Sequence, residues 1–338
     1  MTVVLLTSLT RISDLHDRPY DVRRLPREDW AGGDYVVGEI SPGQHRAHNI
    51  ELASGRMVQT LTGDHVIGAF GNRAATLEGV GSWSSIADDR MQAMTSAGLF
   101  GAMTSRSKLM PPLTELTYVG HVTRGDRKVC MSEFALGSGN DRFNVPTVLL
   151  AGTSMSAGKT TTGRIVVHEL EKLGKKVVGA KLTGAGRYRD ILSFRDAGAH
   201  AVFDFVDAGM PSTVVPEDHF VGAIRPLLHF IDGLEPDFLV AEAGASPLEP
   251  YNGAAAIREL GDNIKCRILC ASDPYAVVGV EKAFGLEPDV VTGPATSTSA
   301  AIDLVRKLAG VDAVNVLETG SSALLREVLE RTLGVGPS

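Results

Sequence analysis

Residues 151–161 read Ala151-Gly152-Thr153-Ser154-Met155-Ser156-Ala157-Gly158-Lys159-Thr160-Thr161. An apolar run, Thr147–Gly152, leads into this stretch, and a helix-period segment, Lys159–Leu173, follows it. Small residues between a strand and a helix let successive backbone N–H groups curl around a phosphate. The helix then aims its partly positive N-terminus at the same group. Lys159 can reach β- and γ-phosphates, and the Thr160 hydroxyl can bind Mg2+. The stretch therefore predicts a phosphate loop formed by Gly152, Thr153, Ser154, Met155, Ser156, Ala157, Gly158, Lys159, Thr160 and Thr161. It departs from the usual pattern in enclosing five residues, not four, between its two glycines.

Outward from the loop, the chain from Pro146 repeats strand, loop and helix. The strands read Thr147–Gly152, Lys176–Leu182, Ala201–Phe205, Asp237–Ala241, Arg267–Ala271, Asp289–Thr292 and Ala313–Leu317. Helical segments follow at Phe220–Ile231, Ala254–Leu260, Tyr275–Ala283, Ser299–Leu308 and Ser322–Leu333. Near-continuous apolar strands alternating with helices predict a three-layer α/β domain around a buried parallel sheet, spanning 146–338.

Residues 1–145 read differently. Short apolar stretches at Val3–Leu6, Tyr35–Ile40, Met57–Leu61, His65–Phe70, Leu116–Val122 and Lys128–Phe134 predict strands. Ser54-Gly55, Thr62-Gly63 and Arg124-Gly125 read as hairpin turns, and Ile86–Phe100 as the one helix. The expectation is a smaller, mostly β or α+β domain, in one version a small barrel, serving substrate recognition or assembly. The polar run Gly137–Asn144 reads as the linker.

Composition narrows the function. The chain has 338 residues, 43% hydrophobic and 22% charged, which excludes a largely disordered protein. A net charge of −7 argues against a general nucleic-acid binder, which needs clustered Lys and Arg. No apolar run reaches the ~18–20 residues that span a bilayer. Three cysteines, Cys130, Cys266 and Cys270, make no disulfide framework. These features predict a cytoplasmic protein without a membrane or nucleic-acid partner.

The loop resembles that of dethiobiotin synthetase, Gly-Thr-Asp-x-x-x-Gly-Lys-Thr. Gly152, Thr153, Gly158, Lys159 and Thr160 match it, and Ser154 replaces the Asp. The resemblance runs over about residues 147–245. It extends to Lys181-Leu182-Thr183-Gly184, where the family has Lys-Pro-x-x-x-Gly, and to Glu242-Ala243-Gly244-Ala245, where it has Glu-Gly-Ala-Gly. It implies that Lys181 contacts phosphate and substrate, that Glu242 binds Mg2+, and that an Asp from the second βα connection is a further metal contact. Asp190 is the best candidate for that Asp, and Asp196 competes. ParA-like ATPases carry an extra lysine early in the loop, where this chain has Thr153 and Ser154. That argues against an ATP-sandwich dimer.

Glu242 stands out without the resemblance, because a carboxylate ending the apolar strand Phe238–Ala241 is costly unless it meets a cation or donor. Lys181 ends a parallel strand, where open α/β sheets bind ligands. Arg187, Arg189 and Arg195 surround Asp190, and Arg187 and Arg189 read as a clamp for an anionic substrate or as an exposed basic face. Asp207–Thr213 and Pro247–Gly253 read as further loops on the active rim, and Ser272–Pro274 and Gly293–Thr298 as the place of the nucleoside. Cys266 and Cys270 read as packing. His45 and His48 alone make no metal site.

The expected function is Mg2+–ATP-dependent phosphoryl transfer to a small, possibly anionic metabolite, by a kinase or by a ligase through a phosphorylated intermediate. Lys159, Lys181, Glu242 and Asp190 would be catalytic, with Thr160, Glu242 and Asp190 at the metal, and the chain a homo-oligomer such as a homodimer. The alternative is a nucleotide switch or metallochaperone-type P-loop NTPase that acts on a protein partner.

Overall fold

The computed structural model describes residues 4–42, 48–137, 142–318, 320 and 322–335. The chain divides into two units. The first holds Met1–Leu136, Ala185–Arg189 and Phe205–His219; the second holds Gly137–Gly184, Asp190–Asp204 and Phe220–Ser338.

The first unit is built on strands β1 (Val4–Leu6), β2 (Asp21–Arg23), β3 (Tyr35–Ile40), β4 (His48–Glu51), β5 (Met57–Thr60), β6 (His65–Phe70), β7 (Asn72–Ala75), β8 (Gly79–Ser82), β9 (Arg90–Thr95), β10 (Leu99–Arg106), β11 (Thr114–Arg124) and β12 (Arg127–Lys128). Neighbours run β6–β3–β11–β9–β10, and β10 pairs back onto β6 in parallel through Leu99–Ala69 and Phe100–Phe70. The sheet thus closes into a small barrel. Alternate residues fill it: Val36 and Ile40, Val66 and Phe70, Met91 and Ala93, Leu116 and Tyr118. Trp30 packs onto Phe70 and Tyr118, with ring centroids 4.8 and 4.5 Å away.

Two expectations fail here. Ile86–Phe100 is not a helix: β9 and β10 pair antiparallel across its second half. Met91 and Met94 fit a helical stripe, Met91 and Ala93 a strand face, and the turn at Gly98 (φ +92°) decides between them. Lys128–Phe134 is not a strand beyond Lys128, because Met131–Phe134 coils into a 3-10 turn and the Cys130 N–H donates to Glu133 Oε1. Gly55 and Gly125 turn β4 into β5 and β11 into β12, whereas β5 and β6, either side of Thr62-Gly63, do not pair. His45 and the linker's residues 138–141 lie outside the described residues.

The second unit carries β13 (Thr147–Gly152), α1 (Lys159–Lys172), β14 (Val177–Thr183), α2 (Tyr188–Asp196), β15 (Ala201–Asp204), α3 (Glu217–Asp232), β16 (Phe238–Ala243), α4 (Gly253–Leu260), β17 (Ile264–Cys270), α5 (Pro274–Phe284), β18 (Val290–Thr292), α6 (Ser299–Ala309), β19 (Asp312–Ala313) and α7 (Ser322–Leu333). The opening residues of α2 and α3 are counted with the first unit. All seven strands are parallel, in the order β15-β14-β16-β13-β17-β18-β19. Every residue of β13, β14 and β16 is buried, so helices cover both faces. On one face Val166 and Leu170 of α1 and Val328 and Leu329 of α7 pack over Val148, Leu150 and Ile268. Two details depart from expectation. The sequence reading has no helix at Tyr188–Asp196, and the last strand is Asp312–Ala313, not Ala313–Leu317.

Candidate nucleotide site

The central strand β13 lies between β16 and β17, and the chain winds outward from it in both directions. Open α/β sheets place their ligand crevice beyond the carboxyl ends of strands at such a point. The loop from Gly152 to Gly158 leaves β13 there. Gly158 takes φ +91° as the residue that starts α1, a conformation costly for any residue with a Cβ. Lys159 follows, 1% exposed, with its Nζ donating to the Ser154 carbonyl at 2.6 Å. Burial pulls the Lys159 pKa below the usual lysine value, against the opposing charge of Glu242. A buried ammonium with a lone carbonyl as its hydrogen-bond partner among the described residues is completed by an anion, which is what a phosphate would supply.

Beside it, the Thr160 hydroxyl donates to Glu242 Oε2 at 2.9 Å. Glu242 comes from β16, where its Cα is in register with Leu150 of β13 and Lys181 of β14. It is buried to 2% exposure. A hydroxyl and a carboxylate held together at the start of α1 are the oxygen donors Mg2+ takes. Lys181 Nζ meets Asp190 Oδ2 at 2.6 Å, and Asp190 sits in the first turn of α2. Burial disfavours the charge on Lys181, but the carboxylates of Asp190 and Glu242 outweigh it and hold the group above the usual lysine range. Thr183 Oγ1 accepts the Gly244 N–H at 2.9 Å and ties the ends of β14 and β16 together.

The structure thus pairs Thr160 with Glu242 and Lys181 with Asp190, and places Lys159 and Lys181 both within the field of the Glu242 carboxylate. Asp196 lies exposed at the far end of α2. Thr153 accepts from the Ser272 N–H at 3.0 Å, which brings the β17 loop to the phosphate loop. Asp273 is occupied as the cap of α5, accepting from Tyr275 and Ala276 N–H. Gly293, after β18, also abuts the phosphate loop, since a Cβ there would stand 2.4 Å from the Ala157 carbonyl oxygen. Cys266 and Cys270 are buried, and burial pushes their thiols up to about 12 and about 11. Arg187, Arg189 and Asp207–Thr213 belong to the first unit.

The sequence reading missed Glu51. It is fully buried in the first unit, and its carboxylate accepts from Ser8 Oγ at 2.5 Å, Tyr188 N at 2.7 Å and Arg189 N at 3.0 Å. It therefore caps the start of α2, one residue before Asp190. No local pattern marks it, because cap and helix are 137 residues apart in the chain.

Among the described residues no group of three or more His, Cys, Asp or Glu side chains is placed to hold a metal ion. No helix among them is long and apolar enough to cross a membrane.

A parallel sheet whose central strand feeds a phosphate loop, with the Thr160–Glu242 pair at its end, gives the second unit the fold of P-loop NTPases. Among solved structures, the chain is similar to the hydrogenase maturation factor HypB from Archaeoglobus fulgidus (15% identity, TM-score 0.38, covering 56% of this chain and 91% of that one). It is also similar to chloroplast FtsY from Physcomitrella patens (14%, TM-score 0.37, 57% and 67%). A third is HypB from Helicobacter pylori in complex with nickel (16%, TM-score 0.38, 56% and 88%). No family model and no curated protein matches the sequence. These structures are named as a hydrogenase maturation factor and FtsY, none as a small-molecule kinase or ligase, which goes against the expectation of an ATP-dependent enzyme of that kind. The physical reason is that a phosphate loop and its Mg2+ donors specify a triphosphate and carry no information about an acceptor.

Proposed function

We propose that the chain is a Mg2+-dependent nucleoside-triphosphatase that works as a nucleotide-controlled switch on a protein partner. Lys159 and the loop N–H groups would hold the phosphates, and Thr160 and Glu242 would hold Mg2+. Mg2+ would neutralise charge on the β- and γ-phosphate oxygens. The likeness to dethiobiotin synthetase is carried no further than this phosphate end.

The observation that carries the switch reading is the Lys181–Asp190 ion pair. Lys181 would answer the γ-phosphate, and its carboxylate partner rides on the first turn of α2. With a triphosphate bound, Lys181 divides its charge between phosphate and Asp190; with a diphosphate, it returns to Asp190 alone. Asp190 follows directly on Tyr188 and Arg189, whose N–H groups Glu51 holds. The nucleotide state would be felt along the chain itself at residues 185–189. The partner would read it there.

The test is hydrogen exchange over residues 185–196 with a non-hydrolysable triphosphate or with diphosphate. Wild type should show at least a several-fold difference in exchange between the two states, and Asp190→Asn should abolish it while binding nucleotide within a few-fold of wild type. Equal exchange in both states of the wild type refutes the switch. Lys159→Ala should weaken nucleotide binding by about 100-fold or more, and unchanged binding refutes the phosphate site itself.

A further inference from the structure

The first unit contains a cavity of about 470 Å3, within the ~300–1,000 Å3 usual for small-molecule sites. Three arginines line it, Arg73, Arg187 and Arg189, against one carboxylate, Glu78. Arg73 is buried and already paired with Glu78. Arg187 and Arg189 are exposed, and neither has an ion-pair partner among the described residues. The cavity therefore carries an uncompensated charge of two cations on one short segment.

Apolar side chains share its other walls with Asn49, Thr95, Ser96 and Thr114. Met57, Leu77 and Leu109 border it while remaining 39%, 69% and 95% exposed, a concentration of water-facing hydrophobic surface at one opening. A buried donor adds a third, independent sign. Thr95 lines the cavity at 8% exposure, and its hydroxyl has no hydrogen-bond partner among the described residues. Buried hydroxyls are normally satisfied, so an orphan in a cavity wall points to a polar group supplied from outside the chain.

The geometry points to a binding site for a small amphipathic anion in this cavity: a carboxylate or phosphate monoester joined to an apolar body. Arg187 and Arg189 take the anionic head as charge-assisted donors. Met57, Leu77 and Leu109 cover the apolar body, whose transfer from water drives binding. A neutral molecule of the same shape gains the second term and lacks the first. No residue of the phosphate loop lines the cavity.

The test is calorimetric titration of the full chain, without nucleotide, using octanoate, octyl phosphate and 1-octanol as probes. Both anions should bind saturably at one site, with 1-octanol at least about tenfold weaker, the size of one charge-assisted contact. Arg187→Ala/Arg189→Ala should cut affinity for the anions at least tenfold and leave 1-octanol unchanged. Those side chains are exposed and their backbone N–H groups are kept, so the melting temperature of the double variant should match wild type and confirm its fold. A second variant, Leu109→Asp, should weaken all three probes. The proposal is overturned if neither anion binds, if 1-octanol binds as tightly as octanoate, or if the folded double variant binds the anions like wild type.

Discussion

Glu51→Gln tests how the barrel unit holds the start of α2. The carboxylate is fully buried and accepts three hydrogen bonds, from Ser8 Oγ and from the N–H groups of Tyr188 and Arg189. Glutamine preserves the shape but offers one acceptor oxygen and one NH2 donor. Whichever way the amide turns, at least one N–H of the helix start faces another donor. Losing one hydrogen bond to a charged group costs ~1.5–3 kcal/mol. Losing negative charge at a helix N-terminus costs a further ~0.3–1 kcal/mol. The sum, about 3 kcal/mol, converts at ~2–4 °C per kcal/mol for a unit of 150–250 residues into a fall of roughly 6–12 °C in melting temperature. Scanning calorimetry reads this directly, with the exposed Glu28→Gln as a control that should move by no more than about 2 °C. A shift for Glu51→Gln no larger than the control's would refute the reasoning, because the helix start would then not depend on that carboxylate.

Two further outcomes follow from the same geometry. Gly293→Ala places a Cβ 2.4 Å from the Ala157 carbonyl at φ +90°, so the phosphate loop must shift. Nucleotide affinity, followed with a fluorescent triphosphate, should fall about tenfold or more from strain of ~1–3 kcal/mol; affinity within twofold of wild type counts against the contact. Native alkylation with iodoacetamide near pH 8 should add one adduct, at Cys130, since burial pushes the thiols of Cys266 and Cys270 up to about 12 and about 11. Mass spectrometry showing Cys266 or Cys270 labelled as fast as Cys130 would contradict their burial.

The phosphate end was readable because its physics is local. Strand, small-residue loop and helix follow one another within residues 147–173, and the strands β13, β14 and β16 are buried on both faces, so their apolar runs are unbroken. Lys181 and Glu242 were readable for a related reason, as charged residues ending such runs. Helix α2 was not, because in Tyr188–Asp196 only Ile191 and Phe194 are buried and five charged or aromatic polar positions hide the period. The helix reading of Ile86–Phe100 fails for the opposite cause: its apolar spacing fits two periods, and pairing with β11 and β6, distant in sequence, selects the strand. Glu51 belongs to the same class of long-range fact. Its role exists only once Tyr188 and Arg189 arrive from far down the chain.

The interleaving of the two units has a consequence for synthesis. The first unit includes Phe205–His219, so it cannot be finished by the first 136 residues that leave a ribosome. When Phe205–His219 emerges, four of the seven parallel strands, β16 to β19, are still to be made, since β16 begins at Phe238. Domains made in strict succession let the earlier one close before the later one begins. Here the first unit cannot, because Ala185–Arg189 and Phe205–His219 join it only after its strands β1 to β12 have been made. A cut after Leu136 that put the two parts into separate polypeptides would strip the first unit of Ala185–Arg189 and Phe205–His219.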